Sequence, residues 1–145
     1  MNFKEIFNLE CRRRKLIDKY IKLKKGTLRK KIINHKLRKN NIFIHENAVI
    51  GEGTFFVHPN NINIGANCVI GKNCRIYHNV TIGAKDNLYP FIEDGCIIYA
   101  GAILIGGITI GKNCTIGAGS VVVKSFEDNS VVAGNPAHLI RGGKV

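Results

Sequence analysis

The sequence lacks the features of an exported or membrane-spanning chain. Its first residues mix charged and apolar side chains without an apolar h-region, so we expect no secretory signal peptide, a cytoplasmic location and reduced cysteines. The long uncharged stretch from Gly95 to Gly111 contains five glycines. Because a bilayer span needs about 20 consecutive apolar residues, this stretch is not predicted to cross a membrane.

Acidic side chains are scarce in the first part of the chain. Residues 1–40 carry fifteen Lys or Arg and three Asp or Glu, whereas residues 41–145 carry seven of each kind. The formal net charge of +12 therefore lies entirely in the first forty residues. The composition also changes at this point, from Lys, Arg and Leu to Gly, Ile, Val and Asn. We predict a basic N-terminal segment over 1–40, a main domain over 41–140 and a tail over 141–145.

A period of six dominates the main domain. Aliphatic residues recur at every sixth position, first at Ile64, Ile70, Ile76 and Ile82 and then at Ile92, Ile98, Leu104, Ile110, Ile116 and Val122. This period fits neither an α-helix nor a plain strand, and it is typical of the hexapeptide repeats of a parallel β-helix. We therefore predict an all-β solenoid whose coils stack into one continuous core.

Four of the five cysteines occupy a second, small position of the repeat: Cys68, Cys74, Cys96 and Cys114. A shared repeat position is typical of inward-facing core residues, whereas metal sites and disulfides usually show paired spacings. We therefore predict core thiols and no metal, with a metal at Cys68 and Cys74 as the alternative. Matches to GxxxxGK arise from the repeat itself and lack the Ser or Thr of a nucleotide-binding loop.

Two insertions interrupt the repeat, and insertions in a solenoid often lie on its binding face. Two extra residues stand before Ile64, in the stretch "FFVHPNNINIG" that contains His58. Four extra residues separate Ile82 from Ile92 and create the loop 84–91, "AKDNLYPF". Both insertions are therefore candidate parts of a functional site.

The string "HPNNINIGANCVIGKNCRIYHNVTIG", from His58 to Gly83, resembles the active-site stretch of serine acetyltransferases and of the related polysaccharide O-acetyltransferases. "YAGAILIGGITIGKNCTIGAGSVVVK" and "VVAGNPAHLIR" resemble later coils and the C-terminal signature of the same group. This resemblance, over roughly residues 42–140, implies a left-handed β-helix with triangular coils of eighteen residues. His58 and His78 are twenty residues apart, two of them inserted, so we expect them at one corner of adjacent coils, about 4.8 Å apart along the stack.

The resemblance implies an acetyl-CoA-dependent O-acetyltransferase that forms a homotrimer and needs no metal. His58 would be the general base that removes a proton from the acceptor hydroxyl, a role that suits neutral imidazole. His78, Asn60 and Tyr89 would contact the acceptor. The family binds the pantetheine arm between neighbouring subunits, and this carries over to Ala100, Gly101, Ala118 and Gly119, with Lys124 and Arg141 as candidates for the CoA phosphates.

The sequence departs from serine acetyltransferases at two carboxylates. In those enzymes one carboxylate precedes the base histidine and another lies fifteen residues before it, where this chain has Val57 and Phe43. Serine is therefore not favoured, and we predict a sugar hydroxyl in surface polysaccharide or glycoconjugate biosynthesis, with serine as the alternative acceptor. The group that orients His58 stays open between a backbone carbonyl, Glu46 and Glu52.

The basic segment places apolar residues at roughly helical spacing over residues 3–24, with Asn2 and Glu5 as a capping box. Gly26 and Thr27 are expected to end this helix and to start a second one. The segment is interpreted as a cap on the open end of the solenoid. The alternatives are attraction to an anionic membrane at its inner face, or to anionic polysaccharide or nucleic acid, although no nucleic-acid module accompanies "RRRK".

Two other functions remain open for such a solenoid. A metal-dependent hydrolase or lyase, like the hexapeptide-repeat carbonic anhydrases, needs three converging histidines with two closely spaced, and the five histidines here include no such pair. A non-catalytic scaffold is the second alternative. The histidine at an insertion and the "AGNPA" motif argue against it.

Overall fold

The computed structural model describes residues 3–142, and a parallel β-helix of short strands makes up most of them. Two helices precede it, α1 (Phe3–Lys22) and α2 (Leu28–Arg38). The strands are β1 Ile42–Ile44, β2 Val49–Ile50, β3 Phe55–Phe56, β4 Ile62–Ile64, β5 Val69–Ile70, β6 Arg75–Ile76, β7 Thr81–Gly83, β8 Phe91–Ile92, β9 Ile97–Ile98, β10 Ile103–Ile105, β11 Thr109–Ile110, β12 Thr115–Ile116, β13 Val121–Val122, β14 Val131–Gly134 and β15 Ala137–Arg141.

The strands form three sheets, because each strand from β1 to β10 pairs with the strand three places later in the chain, and β12 pairs with β14. Sheet A has the order β1-β4-β7-β10-β13, sheet B has β11-β8-β5-β2, and sheet C has β15-β14-β12-β9-β6-β3. The pairs are parallel except for β14 and β15, which form an antiparallel hairpin. Three strands therefore make one coil, and the predicted left-handed β-helix of hexapeptide repeats is confirmed.

The strand register identifies where the repeat is interrupted. Ile103 pairs with Val121, a separation of one eighteen-residue coil. Phe56 pairs with Ile76, which adds the two residues of the first insertion. Ile70 pairs with Ile92, which adds the four residues of the second. Both insertions therefore leave the coil between strands without disturbing the stacking.

The core is filled by the residues that recur at every sixth position, all of them buried from Ile64 to Val122. Cys68, Cys74, Cys96 and Cys114 are also fully buried, which agrees with their prediction as core residues. Burial raises the pKa of the Cys68 thiol because it disfavours the thiolate. Asn residues at many of the turns adopt a positive φ, which Asn tolerates better than other side chains do.

The two helices cover the N-terminal end of the solenoid. Ile17 and Tyr20 of α1 and Ile33 and Leu37 of α2 are buried in the same core as the first strand. The Tyr20 hydroxyl donates a hydrogen bond to the Ile44 carbonyl oxygen at 2.9 Å. The helical cap is therefore present, and burial of Tyr20 raises the pKa of its hydroxyl.

The helix boundaries follow the predicted signals in part. Thr27 is the N-cap of α2, where its side chain accepts a hydrogen bond from the backbone N–H of Lys30 at 3.3 Å. Asn2, the first member of the expected capping box, lies outside the described residues, as do residues 143–145 of the expected tail. Within residues 3–142, neither helix has the length and hydrophobicity of a membrane span.

Candidate active site

The first set of site residues lies along one edge of the solenoid, where each coil passes from sheet C to sheet A. We call this edge the C–A corner; its successive turns are residues 57–61, 77–80, 99–102 and 117–120. Backbone hydrogen bonds stack the turns, from Asn79 N to Asn60 O at 3.0 Å, from Gly101 N to His78 O at 3.1 Å and from Gly119 N to Ala100 O at 2.9 Å. The structure thus brings together seven of the predicted site residues, which are His58, Asn60, His78, Ala100, Gly101, Ala118 and Gly119.

His58 stands in the first turn, at the two-residue insertion. Its φ of 49° is in the left-handed region, which non-glycine residues rarely adopt and which clusters at functional sites. Its side chain is 57% exposed. The His78 ring lies one coil along, with ring centroids 6.5 Å apart and the ring planes at 67°. The eighteen-residue coil therefore places the two imidazoles side by side.

Glu10 of α1 is the partner of His58. The Nδ1 atom of His58 lies 2.8 Å from Oε1 of Glu10. The alternatives expected from the sequence, Glu46 and Glu52, instead follow strands β1 and β2 at the other two corners of the coil. Sequence reasoning missed Glu10 because no repeat relates a helix to the coil on which it docks. The signal available in the sequence is that Glu10 is one of three acidic residues in a segment of forty that is otherwise basic.

Two arginines next to Glu10 attach α1 to the first insertion. Arg14 donates from Nε to the carbonyl oxygen of Phe56 at 3.0 Å, and its guanidinium lies 4.6 Å from the centroid of the Phe55 ring. Arg13 donates to the carbonyl oxygen of Pro59 at 3.5 Å. Arg14 also lies 3.9 Å from the second oxygen of Glu10. The position of the Glu10 carboxylate is thus set by several contacts between the helix and the turn.

A cavity of about 360 Å³ opens between α1 and the C–A corner. Its lining consists of Leu9, Glu10, Arg13, His58, Asn60, His78 and Asn79. His78 Nδ1 is buried and has no hydrogen-bond partner among residues 3–142. The same residues contain no group of three His, Cys, Asp or Glu side chains that could hold a metal ion. The cavity therefore offers an imidazole base, one carboxylate, one guanidinium and two amides to a small polar molecule.

The later turns of the C–A corner carry small residues. Ala118 and Gly119 are exposed, and a side chain added at Gly119 would meet no atom within 4 Å. At Gly101, which is half-buried, an added Cβ would make ordinary van der Waals contacts with the Gly119 backbone at 3.7 and 3.8 Å. Beyond His78 the corner therefore presents accessible backbone, which suits an extended ligand that bonds to main-chain groups.

The chain matches two models of hexapeptide repeats. Residues 89–124 match "Bacterial transferase hexapeptide (six repeats)", and residues 61–85 match "Hexapeptide repeat of succinyl-transferase". The chain belongs to the hexapeptide-repeat transferases. Membership of this family agrees with the three-sheet coil and with the buried positions at every sixth residue.

Among individual hexapeptide-repeat transferases, the chain is similar to serine acetyltransferases. It is 43% identical over 104 residues to serine acetyltransferase 3, mitochondrial, of Arabidopsis thaliana, covering 69% of this chain and 26% of that protein. The crystal structure of the Brucella abortus serine acetyltransferase superposes with a TM-score of 0.74 at 35% identity, covering 79% of this chain and 50% of that chain. A serine acetyltransferase in complex with CoA superposes with a TM-score of 0.72 at 34% identity, and the match covers 77% of this chain and 49% of that chain. The chain thus spans half of their length or less.

Three predicted site residues lie away from the C–A corner of this transferase chain. Tyr89 belongs to the loop after β7, where sheet A passes into sheet B, and it does not line the cavity beside His58. Lys124 lies after β13 on that same edge, with its ammonium 5.6 Å from the centroid of the Phe126 ring. Arg141 ends β15, where it pairs with Val131. Within one chain these residues are therefore not brought together with His58.

Proposed function

We propose that this protein transfers the acetyl group of acetyl-CoA to the hydroxyl of serine or of a closely related hydroxy amino acid. The observation that carries the proposal is the imidazole of His58, held 2.8 Å from a carboxylate in a small polar cavity. The similar proteins are named serine acetyltransferases, and one of them was solved with CoA. The proposal extends these properties to a chain that corresponds to half of those proteins or less.

His58 performs the proton transfers in this mechanism. With the Nδ1 proton directed at Glu10, Nε2 carries the lone pair that accepts the proton of the acceptor hydroxyl. The hydroxyl oxygen then forms a bond to the thioester carbonyl carbon, and collapse of the tetrahedral intermediate breaks the C–S bond. The imidazolium returns its proton to the departing CoA thiolate. A base of this kind contributes about 10²–10⁴ in rate.

The acceptor in this proposal differs from the sugar hydroxyl expected from the sequence. That expectation rested on Val57 and Phe43, which occupy the places of two carboxylates, but a carboxylate does reach His58 from α1. The cavity also contains the Arg13 guanidinium. A guanidinium is a group that pairs with the carboxylate of an amino acid. Together with the names of the similar proteins, it favours the alternative acceptor, serine.

Acetyl-CoA is assigned to the exposed backbone of the C–A corner. The stacked turns 77–80, 99–102 and 117–120 form a continuous stretch of the corner from His78 to Gly119. A pantetheine arm that lies along this stretch would place its thioester at His58. We extend the proposal to a homotrimer, because Tyr89 and Lys124 lie on a different edge and would reach this corner from another copy. Light scattering should then give three times the mass of the 16.0 kDa chain.

The test is an assay of the purified chain with acetyl-CoA and candidate acceptors, read by mass spectrometry of the acetylated product. We expect O-acetylserine to form at a rate proportional to enzyme concentration and to be lost in His58→Asn. Acetylation of monosaccharides or nucleotide sugars in preference to serine would return the acceptor to the sugar class. No acetylation of either class, with no rise in melting temperature at millimolar CoA, would contradict the proposal and favour a scaffold.

A further inference from the structure

We infer that Glu10 is the positioning residue of His58, so that the N-terminal helix supplies a part of the site that the coils do not contain. The inference rests on the proposed function. Among the residues that line the cavity, Glu10 is the acidic side chain, and its Oε1 atom is 2.8 Å from Nδ1 of His58. Its partner lies 48 residues further along the chain.

The hydrogen bond selects one neutral tautomer of His58. Glu10 as a carboxylate only accepts hydrogen bonds, so Nδ1 must carry the proton and Nε2 the lone pair. The tautomer with the proton on Nε2 would leave two acceptors facing each other. In this tautomer the neutral imidazole presents the Nε2 lone pair that can remove a proton, and the hydrogen bond to Glu10 orients its ring in the cavity.

The alternative explanation is that the pair only docks the helix. An exposed ion pair contributes little to stability, and His58 is 57% exposed. Docking is already provided by Ile17 and Tyr20, which are buried in the core, and by Arg14, which bonds to Phe56. Glu10 is 20% exposed and lies between Arg14 and His58. A loss of Glu10 should therefore change the histidine more than it changes the attachment of α1.

Three variants separate the two explanations. Glu10→Gln removes the charge at nearly constant shape, and Glu10→Asp keeps the charge on a shorter side chain. The matched control is Asp18→Asn, two turns further along α1, where the carboxylate is exposed and lines a different cavity. Each variant is measured for kcat, for KM of acetyl-CoA and serine, for melting temperature, and for the His58 tautomer by ¹⁵N NMR of the imidazole.

We expect Glu10→Gln to lower kcat at least about tenfold, with KM for acetyl-CoA within about twofold. In the ¹⁵N spectrum of Glu10→Gln, the Nδ1-protonated tautomer of His58 should no longer predominate. Glu10→Asp should recover part of kcat. Asp18→Asn should have the kcat, KM and His58 tautomer of the parent protein. A kcat for Glu10→Gln within twofold of the parent, or an unchanged tautomer, would overturn the inference and leave the acetyltransferase proposal standing. If the parent protein acetylates nothing, the proposed function fails, and the tautomer measurement still decides whether Glu10 positions His58.

Discussion

The β-helix and the helical N-terminal segment are built on different principles. In the β-helix, the six-residue period determines which side chains enter the core, and each coil repeats the contacts of the one before it. The helices make contacts that occur once, such as Tyr20 to Ile44 and Arg14 to Phe56. The candidate site lies where the two parts meet. A repeating scaffold thus supplies the histidines and the backbone track, and a non-repeating element supplies the charged side chains.

The largest effect is expected from the imidazole on the repeating side. His58→Asn keeps polarity and approximate size but cannot accept a proton, so kcat should fall by at least about 10² while the fold persists. His78→Asn should cost less, because His78 is assigned only to contact with the acceptor. Steady-state kinetics with circular dichroism as the control for folding would check both. The reverse order, with His78 essential and His58 dispensable, would show that the base has been misassigned.

The second largest effect on kcat is expected from a loss of the contacts that attach α1 to the coil. Arg14→Ala removes the hydrogen bond to Phe56 and the contact with the Phe55 ring, so Glu10 should lose its fixed position. We expect kcat to fall about tenfold, as it does for Glu10→Gln, and the melting temperature to fall slightly. Arg12→Ala, on the exposed face of the same helix, is the matched control. Equal kinetics for the two variants would mean that the docking of α1 does not influence the site.

The smallest effect on turnover is expected from the core thiols. Cys96→Ala removes a fully buried sulfur from the stacked coils and should cost about 1–3 kcal/mol in the free energy of unfolding. The same substitution should leave kcat nearly unchanged, because the C–A corner does not include Cys96. Urea unfolding followed by circular dichroism gives the first value and the acetylation assay the second. Lost turnover in the folded variant would reveal a functional thiol in place of a core one.

The fold could be predicted from the sequence because its determinants are local and periodic. The positions of Ile64, Ile70 and Ile76 predict the coil, and the extra residues before Ile64 predict the turn that carries His58. The pairing of His58 with His78 followed from counting residues against the eighteen-residue coil that the family resemblance implies. Such counting works wherever successive residues stack on one another at a fixed interval.

The remainder of the site could not be predicted, because it depends on how a helix docks. A helical pattern identifies the apolar face of α1 but not the coil residue that each exposed side chain will meet, so Glu10 and Arg13 were overlooked. Likewise, the family resemblance implied a contact between Tyr89 and the acceptor, whereas the coil places Tyr89 on another edge. The contribution of Tyr89 and Lys124 stays a prediction that depends on assembly with a second copy.

A double-mutant cycle between Glu10 and His58, measured as kcat for O-acetylserine formation, tests most directly whether the helix and the coil form one site. Glu10→Gln and His58→Asn are each compared with the double variant. If Glu10 acts through His58, the loss caused by Glu10→Gln in the parent protein should disappear once His58 is Asn, so the double variant should turn over like His58→Asn alone. Losses that multiply independently would contradict the account, because Glu10 would then act without the histidine to which it is bonded.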